Sequence, residues 1–343
     1  MPAPLVIPYF IPHRGCPHQC IFCNQHLITS VSCDACQAVD LEETIASYLK
    51  YKGTRSRVEV AFFGGNFLGL PHAEILGFLR RIQPYVDAGH IHGVRCSTRP
   101  DTVTRESLDL VKPLGMTLVE LGVQSMDDAV LRAAGRGHTR ADTEAAVELL
   151  REEGIGVGVQ VMAGLPGDTR STALDSCRAL AAMHPDLARI YPVLVLAGSR
   201  LAHHYKEGRY EPLTLNRAVS LVAEMWQIFS GAGVTVARMG LQASEMMDDA
   251  SQVLAGPWHP AFGHLVYSEL MYEKACDALA ILLTSEKDTS GRVILRVHPR
   301  SLSRLQGDRK RNLKKLNNRF PEIEFLVRTS DTMFPDQVKA DWD

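Results

Sequence analysis

The sequence predicts an α/β fold in which a partial (β/α)6 barrel of the TIM type is followed by a small α+β unit. Short apolar runs alternate with amphipathic stretches along most of the 343 residues, a pattern typical of a parallel sheet with right-handed crossovers. Six such repeats are present, which is too few for a closed barrel of eight strands. Beyond about Gln242 the alternation ends, and two short strand patterns flank a basic helical stretch.

The six predicted strands are short, are rich in Val, Ile, Leu and Phe, and mostly end at Gly or Pro. They cover 58–63, 93–98, 117–123, 156–162, 187–194 and 234–239. Between them the apolar residues recur at helical spacing. The predicted helices cover 41–51, 73–85, 105–114, 139–153, 172–183 and 215–230. We therefore expect ligands to bind at the carboxyl ends of the strands, as in other barrels of this type.

Three segments are predicted along the chain. Residues 1–245 form the barrel together with a cysteine-rich loop, 246–290 form a helical extension, and 291–343 form the small α+β unit. The extension centres on a helical pattern over 259–283, and residues 287–291 are predicted to be a linker. The last segment has strand patterns at 293–297 and 323–327 around a basic helix at 301–318. One side of that helix carries Leu302, Leu305, Leu313, Leu316 and Phe320.

The composition limits the classes of protein to which the chain can belong. The chain is 45% hydrophobic and 22% charged, which is ordinary for a globular protein, and its net charge of −2 excludes a global basic field for nucleic acid. Eight cysteines without a signal peptide favour a reducing, cytoplasmic setting over a disulfide framework. The apolar stretch 5–12 is broken by Pro8 and Pro12, so we expect neither a signal sequence nor a membrane span there, and no later segment has spanning length.

Three cysteines near the start, Cys16, Cys20 and Cys23, have the spacing C-x3-C-x2-C. Three thiolates at this spacing can hold three irons of a [4Fe–4S] cube and leave the fourth iron open, whereas clusters that only carry electrons usually have four cysteine ligands. Zinc sites usually pair two-ligand knuckles across a longer gap, and a disulfide would leave one cysteine over. The spacing therefore favours an iron–sulfur cluster with an open position.

A second C-x2-C pair is formed by Cys33 and Cys36. It could supply two ligands for zinc or for another cluster, with Cys96 or a histidine completing the set, but the further ligands are not visible in the sequence. Cys177 and Cys276 lie in apolar helical patterns, so they are predicted to be core residues.

Glycine and polar residues follow several predicted strands, where ligands bind in such barrels. Gly64-Gly65-Asn66 follows the first strand, and a glycine pair lets the backbone approach a ligand closely. Gln124 ends the third strand, and Arg136 lies in the next turn with a guanidinium suited to a carboxylate. A second interpretation of Arg136 is a solvated surface arginine.

The cysteine motif, with Phe22 before its last cysteine, resembles the signature of the radical S-adenosylmethionine (SAM) superfamily. Within it, the chain resembles Elp3-like proteins, named after the catalytic subunit of Elongator, over most of the predicted barrel. The resemblance rests on Thr-Arg-Pro-Asp at 98–101, Glu-Leu-Gly-Val-Gln-Ser at 120–125, Arg-Gly-His-Thr at 136–139 and Ile-Tyr-Pro-Val-Leu-Val at 190–195. Gln-Ser, Gly-Arg and Gly-Leu-Pro elements are also similar to oxygen-independent coproporphyrinogen oxidases.

The resemblance implies a radical SAM barrel in which Cys16, Cys20 and Cys23 hold a [4Fe–4S] cluster and SAM completes the open iron. An electron from the cluster then cleaves SAM to methionine and a 5′-deoxyadenosyl radical. The resemblance also implies that Gln124 and Arg136 hold the ribose and the methionine carboxylate of SAM. The SAM-binding residues that follow from it are Phe22, Gly64, Gly65, Asn66, Ser97, Gln124, Arg136 and Gln160.

Three of these positions depart from the family patterns. Asn66 stands where radical SAM proteins have an acid, so only its backbone contact with the SAM amino group is implied. Ser97 replaces the glutamate before Thr-Arg-Pro-Asp of Elp3-like proteins, and Gln160 replaces a ribose-binding aspartate of the coproporphyrinogen oxidases. About 100 residues follow the barrel, which we expect to be too few for the acetyltransferase domain of Elp3. Acetyl transfer within this chain is therefore not expected.

The predicted function is that of a radical SAM enzyme acting on RNA. The Elp3-like resemblance favours tRNA as substrate, and a ferredoxin or flavodoxin would donate electrons. Between Arg300 and Arg319 eight basic residues stand against one acid, Asp308, and such a helix can neutralise RNA phosphates. No second glycine completes a G-x-x-G loop there, and the helix could equally be a solvated face packed through its leucines. The residues predicted to contact RNA are Arg309, Lys310, Arg311, Lys314 and Lys315.

Two other functions are open from the sequence. The chain could act on a small molecule, as the coproporphyrinogen oxidases do, or it could be a non-catalytic RNA-binding protein that keeps its cluster for stability. Asn66 and Ser97 permit the second of these, because both replace acids near SAM. Turnover of SAM separates an enzyme from a binding protein.

Overall fold

The computed structural model describes residues 4–11, 14–24, 40–241, 251–284 and 291–343. The chain forms two compact units. The first comprises Met1–Ala218 and Met225–Trp258, and the second comprises Val219–Glu224 and His259–Asp343. None of the helices within these described ranges is long and apolar enough to cross a lipid bilayer.

A parallel sheet lies at the centre of the first unit. The strands of this unit are β1 (Leu5–Phe10), β2 (Val58–Phe63), β3 (Gly93–Thr98), β4 (Met116–Gln124), β5 (Gly156–Ala163), β6 (Leu187–Pro192), β7 (Val195–Leu196), β8 (Thr235–Met239) and β9 (Val253–Ala255). Strands β1 to β6 and β8 pair in that order, and each pair is parallel. The order follows the chain, as in a barrel built from successive βα units. The predicted partial barrel is thus confirmed.

Helices alternate with these strands. They are α1 (Leu41–Leu49), α2 (His72–Asp87), α3 (Arg105–Val111), α4 (Asp128–Ala133), α5 (Arg140–Glu152), α6 (Arg170–Ala182), α7 (Arg200–Lys206) and α8 (Leu215–Gly231). Helices α3, α5 and α6 each begin with a capping box, at Thr104, Thr139 and Thr169. In each box the threonine side chain accepts from the backbone N–H three residues later, and the side chain of that residue accepts from the threonine N–H. Two short helices, α4 and α7, were not predicted.

The first strand of the sheet, β1, was missing from the prediction. Pro8 lies inside it, and a proline normally argues against a strand because it has no N–H to donate. Strand β1 is at the edge of the sheet and pairs only with β2, so this missing donor is tolerated. The predicted strand 187–194 was too long, because β6 ends at Pro192 and the chain then enters β7, which pairs with β9.

One face of the parallel sheet carries a chain of buried charges that the sequence did not reveal. Arg95 on β3 forms an ion pair with Glu59 on β2, and its Nη1 lies 3.7 Å from Oε1 of Glu120 on β4. Arg189 on β6 donates from Nε to Oε2 of Glu120 over 2.5 Å and from Nη2 to Oε1 over 3.1 Å. The Arg189 guanidinium also lies 5.3 Å from the centre of the Phe63 ring. Each charge in this chain therefore has an opposite charge beside it.

The second unit is built on a sheet of three strands. Its elements are α9 (Phe262–Thr284), β10 (Gly291–Val297), α10 (Leu302–Gln306), α11 (Arg311–Arg319), β11 (Ile323–Thr329) and β12 (Val338–Trp342). The central strand β10 is parallel to β11 and antiparallel to β12. Helix α9 shares a hydrophobic core with the strands, and this core includes the leucine face predicted for the basic helix.

The predicted continuous helix over 301–318 is wrong. The chain forms two helices, α10 and α11, which are separated by a turn at 307–310. Gly307 ends α10 with a φ of +74°, and Arg309 and Lys310 have φ values of +48° and +60°. Left-handed backbone cannot continue a right-handed helix, so the helix breaks at these residues.

Replacing Glu120 with alanine is expected to lower the free energy of unfolding by about 3–5 kcal/mol, because half-buried Arg189 would lose its carboxylate partner and buried Arg95 would keep only Glu59. Urea denaturation of E120A and of the wild-type chain measures this difference. E144A is the matched control, since Glu144 pairs with Arg140 on an exposed helix face and such pairs contribute about 0.3–0.5 kcal/mol. Equal stability of E120A and E144A would contradict the expectation.

Candidate active site

The three cysteines lie on a loop that follows β1, so they are near the carboxyl edge of the sheet. None of the three forms a disulfide, and Cys20 is buried while Cys16 and Cys23 are half-buried. The backbone N–H of Cys23 donates to the carbonyl of Cys20 over 3.1 Å, which curls the loop. Within the described residues, no three His, Cys, Asp or Glu side chains are placed to hold a single metal ion.

Neighbouring elements hold this cysteine loop in place. The N–H of Ile21 donates to the carbonyl of Ala134 at the end of α4, and the carbonyl of Ile21 accepts from Leu201 in α7 over 2.7 Å. The Ile21 side chain is buried in an apolar cluster, and Phe22 packs against that cluster. The loop is therefore fixed by the β4–α5 connection and by α7, and Phe22 contributes packing to it.

The glycine pair after β2 lets the chain pass close to the cysteine loop. Gly64 has a φ of +92°. A Cβ on Gly65 would lie 2.4 Å from the carbonyl oxygen of Ile11 and 2.7 Å from that of Arg14, which no side chain could occupy. The next residue, Asn66, donates its N–H to the Arg14 carbonyl over 2.9 Å. The backbone here therefore approaches the cysteine loop closely, and its predicted approach to a ligand stays a prediction.

The side chain of Asn66 is fully buried and joins two parts of the site. Its Nδ2 donates to the carbonyl of Gly15 in the cysteine loop over 2.7 Å. Its Oδ1 accepts from the Thr98 hydroxyl over 2.6 Å, from the Thr102 hydroxyl over 2.8 Å and from the Arg99 N–H over 2.9 Å. One amide therefore ties the cysteine loop to the turn that follows β3.

Arg136 lies beside the cysteines. It is buried, so it is not a solvated surface arginine. Its Nη1 donates to Sγ of Cys20 over 3.2 Å, and its Nη2 donates to the carbonyl of Gly122 over 2.5 Å. The guanidinium therefore places a positive charge and a hydrogen-bond donor beside the sulfur of one of the three cysteines.

Gln124 ends β4 in a left-handed conformation, with a φ of +71°. Non-glycine residues seldom adopt this conformation, and it is concentrated at functional sites. Its Oε1 accepts from Nε2 of Gln160 on β5 over 2.7 Å. A Cβ on Gly122 would lie 2.9 Å from Gln124 Nε2 and 3.3 Å from Arg136 Nη2. Gly122 therefore makes the space into which both side chains fold, a role that the sequence analysis did not assign.

Several buried nitrogen atoms at this site have no hydrogen-bond partner among the described residues. They are Nε of Arg136, Nη1 of Arg99 and both ring nitrogens of His138. Arg99 donates through Nε and Nη2 to the two oxygens of Asp101, over 2.9 and 2.7 Å, which leaves its third nitrogen unused. Orphaned buried donors are rare in proteins and call for an explanation such as a ligand.

Burial and charge act together on the titratable groups of the site. Burial lowers the pKa of His138 to about 4, with Arg136 and Arg99 acting in the same direction, so this ring is neutral at pH 7. Burial raises the pKa of the Cys16 thiol, and the same two arginines oppose that shift. For Asp101 burial acts upward, but its hydrogen bonds from Arg99 outweigh it and leave the pKa below the usual value.

These residues fit the cluster and the ligand that the sequence implies. Three cysteines outside any disulfide can supply the sulfur donors of an iron–sulfur cluster. Two buried guanidinium groups with spare N–H groups suit a carboxylate, which arginine binds better than other side chains do. Arg99 and His138 were not among the predicted site residues. A signal for Arg99 existed in its place directly after a strand, where functional residues concentrate in barrels.

Other predicted residues lie at varying distances from this group. Ser97 is half-buried on β3, next to the turn held by Asn66. Cys33 and Cys36 lie outside the described residues, and Cys96, a third ligand considered for them, is fully buried on β3. The basic residues predicted to contact RNA lie in the second unit.

Comparison with known protein families gives the same assignment as the cysteine motif. The family model described as the radical SAM superfamily matches residues 10–180, and the model of the radical SAM C-terminal domain matches residues 185–272. Together they cover more than half of the chain.

Two relatives and one solved structure illustrate the similarity. An uncharacterized protein of Methanocaldococcus jannaschii is 29% identical over 229 residues, which cover 63% of this chain and 69% of that protein. A tRNA uridine(34) acetyltransferase of Dehalococcoides mccartyi is 29% identical over 243 residues, which cover 61% of this chain and 53% of that enzyme. This chain therefore spans about half the length of the acetyltransferase. The structure of Methanocaldococcus infernus Elp3 with an N-terminal deletion has a TM-score of 0.62 at 21% identity, covers 79% of this chain and 63% of its own, and shows a shared fold.

Replacing Asn66 with alanine is expected to loosen both segments that its amide joins. A buried donor left without an acceptor costs about 1–3 kcal/mol, so amide hydrogen exchange at 98–102 and in the cysteine loop should become about tenfold faster or more. Hydrogen exchange with mass spectrometry on the reduced chain measures this. N317A is the control, because Asn317 is exposed on α11. Unchanged exchange in both segments of N66A would show that the amide does not hold them together.

Proposed function

We propose a role in tRNA modification for this chain, which belongs to the radical SAM superfamily and is an enzyme of the radical SAM kind. The observation that carries the cofactor chemistry of the proposal is the meeting of three cysteines that form no disulfide with a buried arginine. The Nη1 of this arginine reaches Cys20 Sγ, and its Nε has no hydrogen-bond partner among the described residues. Such a set combines ligands for a cluster with a donor for an anionic ligand at one edge of the sheet.

In this proposal Cys16, Cys20 and Cys23 hold a [4Fe–4S] cluster. When bound, the cluster supplies the electron that cleaves SAM to methionine and a 5′-deoxyadenosyl radical. The hydrogen bond from Arg136 offsets part of the negative charge on the sulfur of Cys20. Ile21 and Phe22 exclude water from one side of the loop through the apolar cluster in which they pack.

The SAM ligand would lie on the residues at the strand ends. Arg136 would hold the methionine carboxylate through the Nε–H that has no partner among the described residues, and Arg99 Nη1 would add a second positive donor. Gln124 and Gln160, which already bond each other, would hold the ribose hydroxyls. Ser97 on β3 would be a further SAM-binding residue. The turn at Gly64 and Gly65 would offer its backbone to the amino group. Asn66 would act through this turn, because its side-chain oxygen already accepts three hydrogen bonds.

His138 would contribute as a neutral ring. Its low pKa keeps it uncharged under physiological conditions, so it can accept a hydrogen bond at one nitrogen and donate at the other. Both of its nitrogens are buried without a partner among the described residues. A small one-electron carrier protein, a ferredoxin or a flavodoxin, would reduce the cluster.

The tRNA substrate is inferred from the relatives. The chain is similar to a protein named as a tRNA uridine(34) acetyltransferase, although it spans about half of that enzyme's length. The radical SAM family match over residues 10–180 includes the cysteine motif and the strand ends that form the site. We infer that tRNA supplies the hydrogen atom that the radical abstracts.

Anaerobic turnover tests the function. The chain is reconstituted with iron and sulfide and given SAM and dithionite, with or without a pool of tRNA. Formation of 5′-deoxyadenosine and the masses of the tRNA nucleosides are followed by mass spectrometry. The wild-type chain is expected to form deoxyadenosine, and C20A is expected to form none because it lacks a cluster ligand. C276A is the matched control, because Cys276 is a buried cysteine of the second unit and should leave activity intact.

The outcomes separate the two parts of the proposal. No deoxyadenosine from a wild-type chain with its full complement of iron would overturn the activity. Deoxyadenosine without any nucleoside of altered mass, and without stimulation by tRNA, would overturn tRNA as the substrate.

Replacing Gly122 with alanine is expected to weaken SAM binding by about tenfold or more, which is about 1.4 kcal/mol. The added Cβ would displace the side chains of Gln124 and Arg136, whose atoms lie 2.9 and 3.3 Å from its position. Anaerobic equilibrium dialysis with labelled SAM measures the affinity. G77A is the control, because Gly77 is exposed on helix α2 and nothing lies within 4 Å of a Cβ there. Equal SAM affinity of G122A and G77A would argue against a SAM site at these side chains.

A further inference from the structure

We propose that the turn Gly307-Asp308-Arg309-Lys310, between α10 and α11, binds the sugar–phosphate backbone of single-stranded RNA. This inference rests on the proposed function, since it assigns part of the same RNA substrate to the second unit. Neither family model reaches the turn, because the radical SAM C-terminal domain match ends at residue 272.

The topology around the turn places it between two short helices. Strand β10 leads into α10, the turn follows, and α11 leads into β11, which pairs parallel with β10. KH modules, which are small α+β units, clamp four nucleotides by their backbone with a G-x-x-G loop. The sequence of this turn begins with glycine but has Lys310 in place of the second glycine.

The backbone of the turn has a left-handed conformation at the position where G-x-x-G has its second glycine. Lys310 has a φ of +60°, in the left-handed region where glycine is the usual residue, and Arg309 precedes it with a φ of +48°. Two consecutive non-glycine residues in this region store strain, and such strain concentrates at binding and catalytic sites. The position of the second glycine therefore has the backbone conformation of a glycine but the side chain of a cation.

Buried contacts hold this strained turn. Asn312 is buried, and its Nδ2 donates to the carbonyl of Ser268 on α9 over 2.8 Å and to that of Arg304 on α10 over 3.2 Å. Gly307 packs directly on it, because a Cβ there would lie 3.0 Å from Asn312 Cγ. The N–H of Lys310 donates to the Gly307 carbonyl over 3.1 Å. The turn is thus braced from three helices.

Some basic residues of this region are committed to the fold. Lys315, one of the five predicted to contact RNA, lies 2.7 Å from Glu269 and 4.6 Å from the centre of the Tyr272 ring. Arg304 lies over the Tyr267 ring at 4.4 Å. These side chains stabilise the packing of α10 and α11 on α9.

The basic residues at the turn itself are exposed. They are Arg309, Lys310, Arg311 and Lys314. Arg311 and Lys314 are three residues apart on α11 and therefore lie on neighbouring positions of one helix face, directly after the turn. Residues 302–319 contain no aromatic side chain on which a base could stack. The surface therefore suits phosphates rather than bases, and it should bind RNA with little sequence preference.

Binding of RNA to the full-length chain tests the turn. The probes are a fluorescein-labelled single-stranded 12-mer of uridine, the same strand in a duplex, and a tRNA pool. In R309D/K310D two cations become anions, and aspartate tolerates left-handed backbone better than most residues, so the turn should keep its shape. K50E/K339E is the matched control, because it makes the same change of charge at two exposed lysines that belong neither to the turn nor to its flanking helices.

The turn variant is expected to bind the single-stranded 12-mer about tenfold more weakly or worse at ~0.1 M salt, and the control to bind within about twofold of wild type. The slope of log affinity against log salt should fall by about 1.4, since each phosphate contact on a single strand contributes about 0.7. K310G, which completes G-x-x-G, should lose only about half of that slope because the backbone keeps its conformation.

Each outcome has a distinct meaning. If wild-type chain binds tRNA and R309D/K310D binds it equally well with the same salt slope, the turn is not the RNA site and the proposed tRNA function stands. If the turn variant and the control lose RNA affinity equally, the loss comes from net charge alone, and this result would also overturn the inference. Tighter binding of the duplex than of the single strand would overturn its single-strand part. If the wild-type chain binds no RNA at any salt concentration, the tRNA substrate itself falls, whatever the variants do.

Discussion

The carboxamide of Asn66 bonds the cysteine loop on one side and the turn after β3 on the other, and the geometry of the candidate site depends on this link. Backbone hydrogen bonds to Ala134 and Leu201 fix the loop around Ile21. At Gly15 the loop is held by the buried Asn66 side chain, which uses a donor for Gly15 and an acceptor for three groups near Thr98. An acid at this position could accept but not donate, so asparagine is the residue that can bond both segments.

Charged side chains in the first unit occur in two different arrangements. Along the sheet, Glu59, Arg95, Glu120 and Arg189 alternate in sign, so each buried charge is compensated within the protein. At the carboxyl edge, the partners of Arg136 within the described residues are a sulfur and a carbonyl, and no carboxylate is among them. Leaving a buried cation without an anion is costly. The charges along the sheet are therefore matched within the protein, whereas the charge of Arg136 is the one that the proposed anionic ligand would match.

The barrel and the cysteine loop could be predicted from sequence because both depend on local patterns. Strand patterns and the C-x3-C-x2-C spacing are visible within a few residues. The Asn66 link could not be predicted, since its partners Gly15 and Thr98 are 51 and 32 residues away. The same holds for Gly122, whose absence of a side chain matters only because Gln124 and Arg136 fold over it. Strand β1 was missed because Pro8 excludes a central strand, and only the sheet order shows that β1 is at an edge.

The broken helix of the second unit was missed for the opposite reason, because its local pattern was misleading. Arg and Lys are good helix formers, so Arg309 and Lys310 predict continuation of the helix. Gly307 is the one residue in the turn that favours left-handed backbone. The structure ends α10 there and then holds two cations in the same region, at a cost of about 1–2 kcal/mol each. Asparagine or glycine at positions 309 and 310 would avoid that cost. A continuous helix that only exposed its basic side chains to solvent would also avoid it. A cationic side chain kept at a strained and exposed position is therefore better explained by contact with an anion than by the stability of the turn.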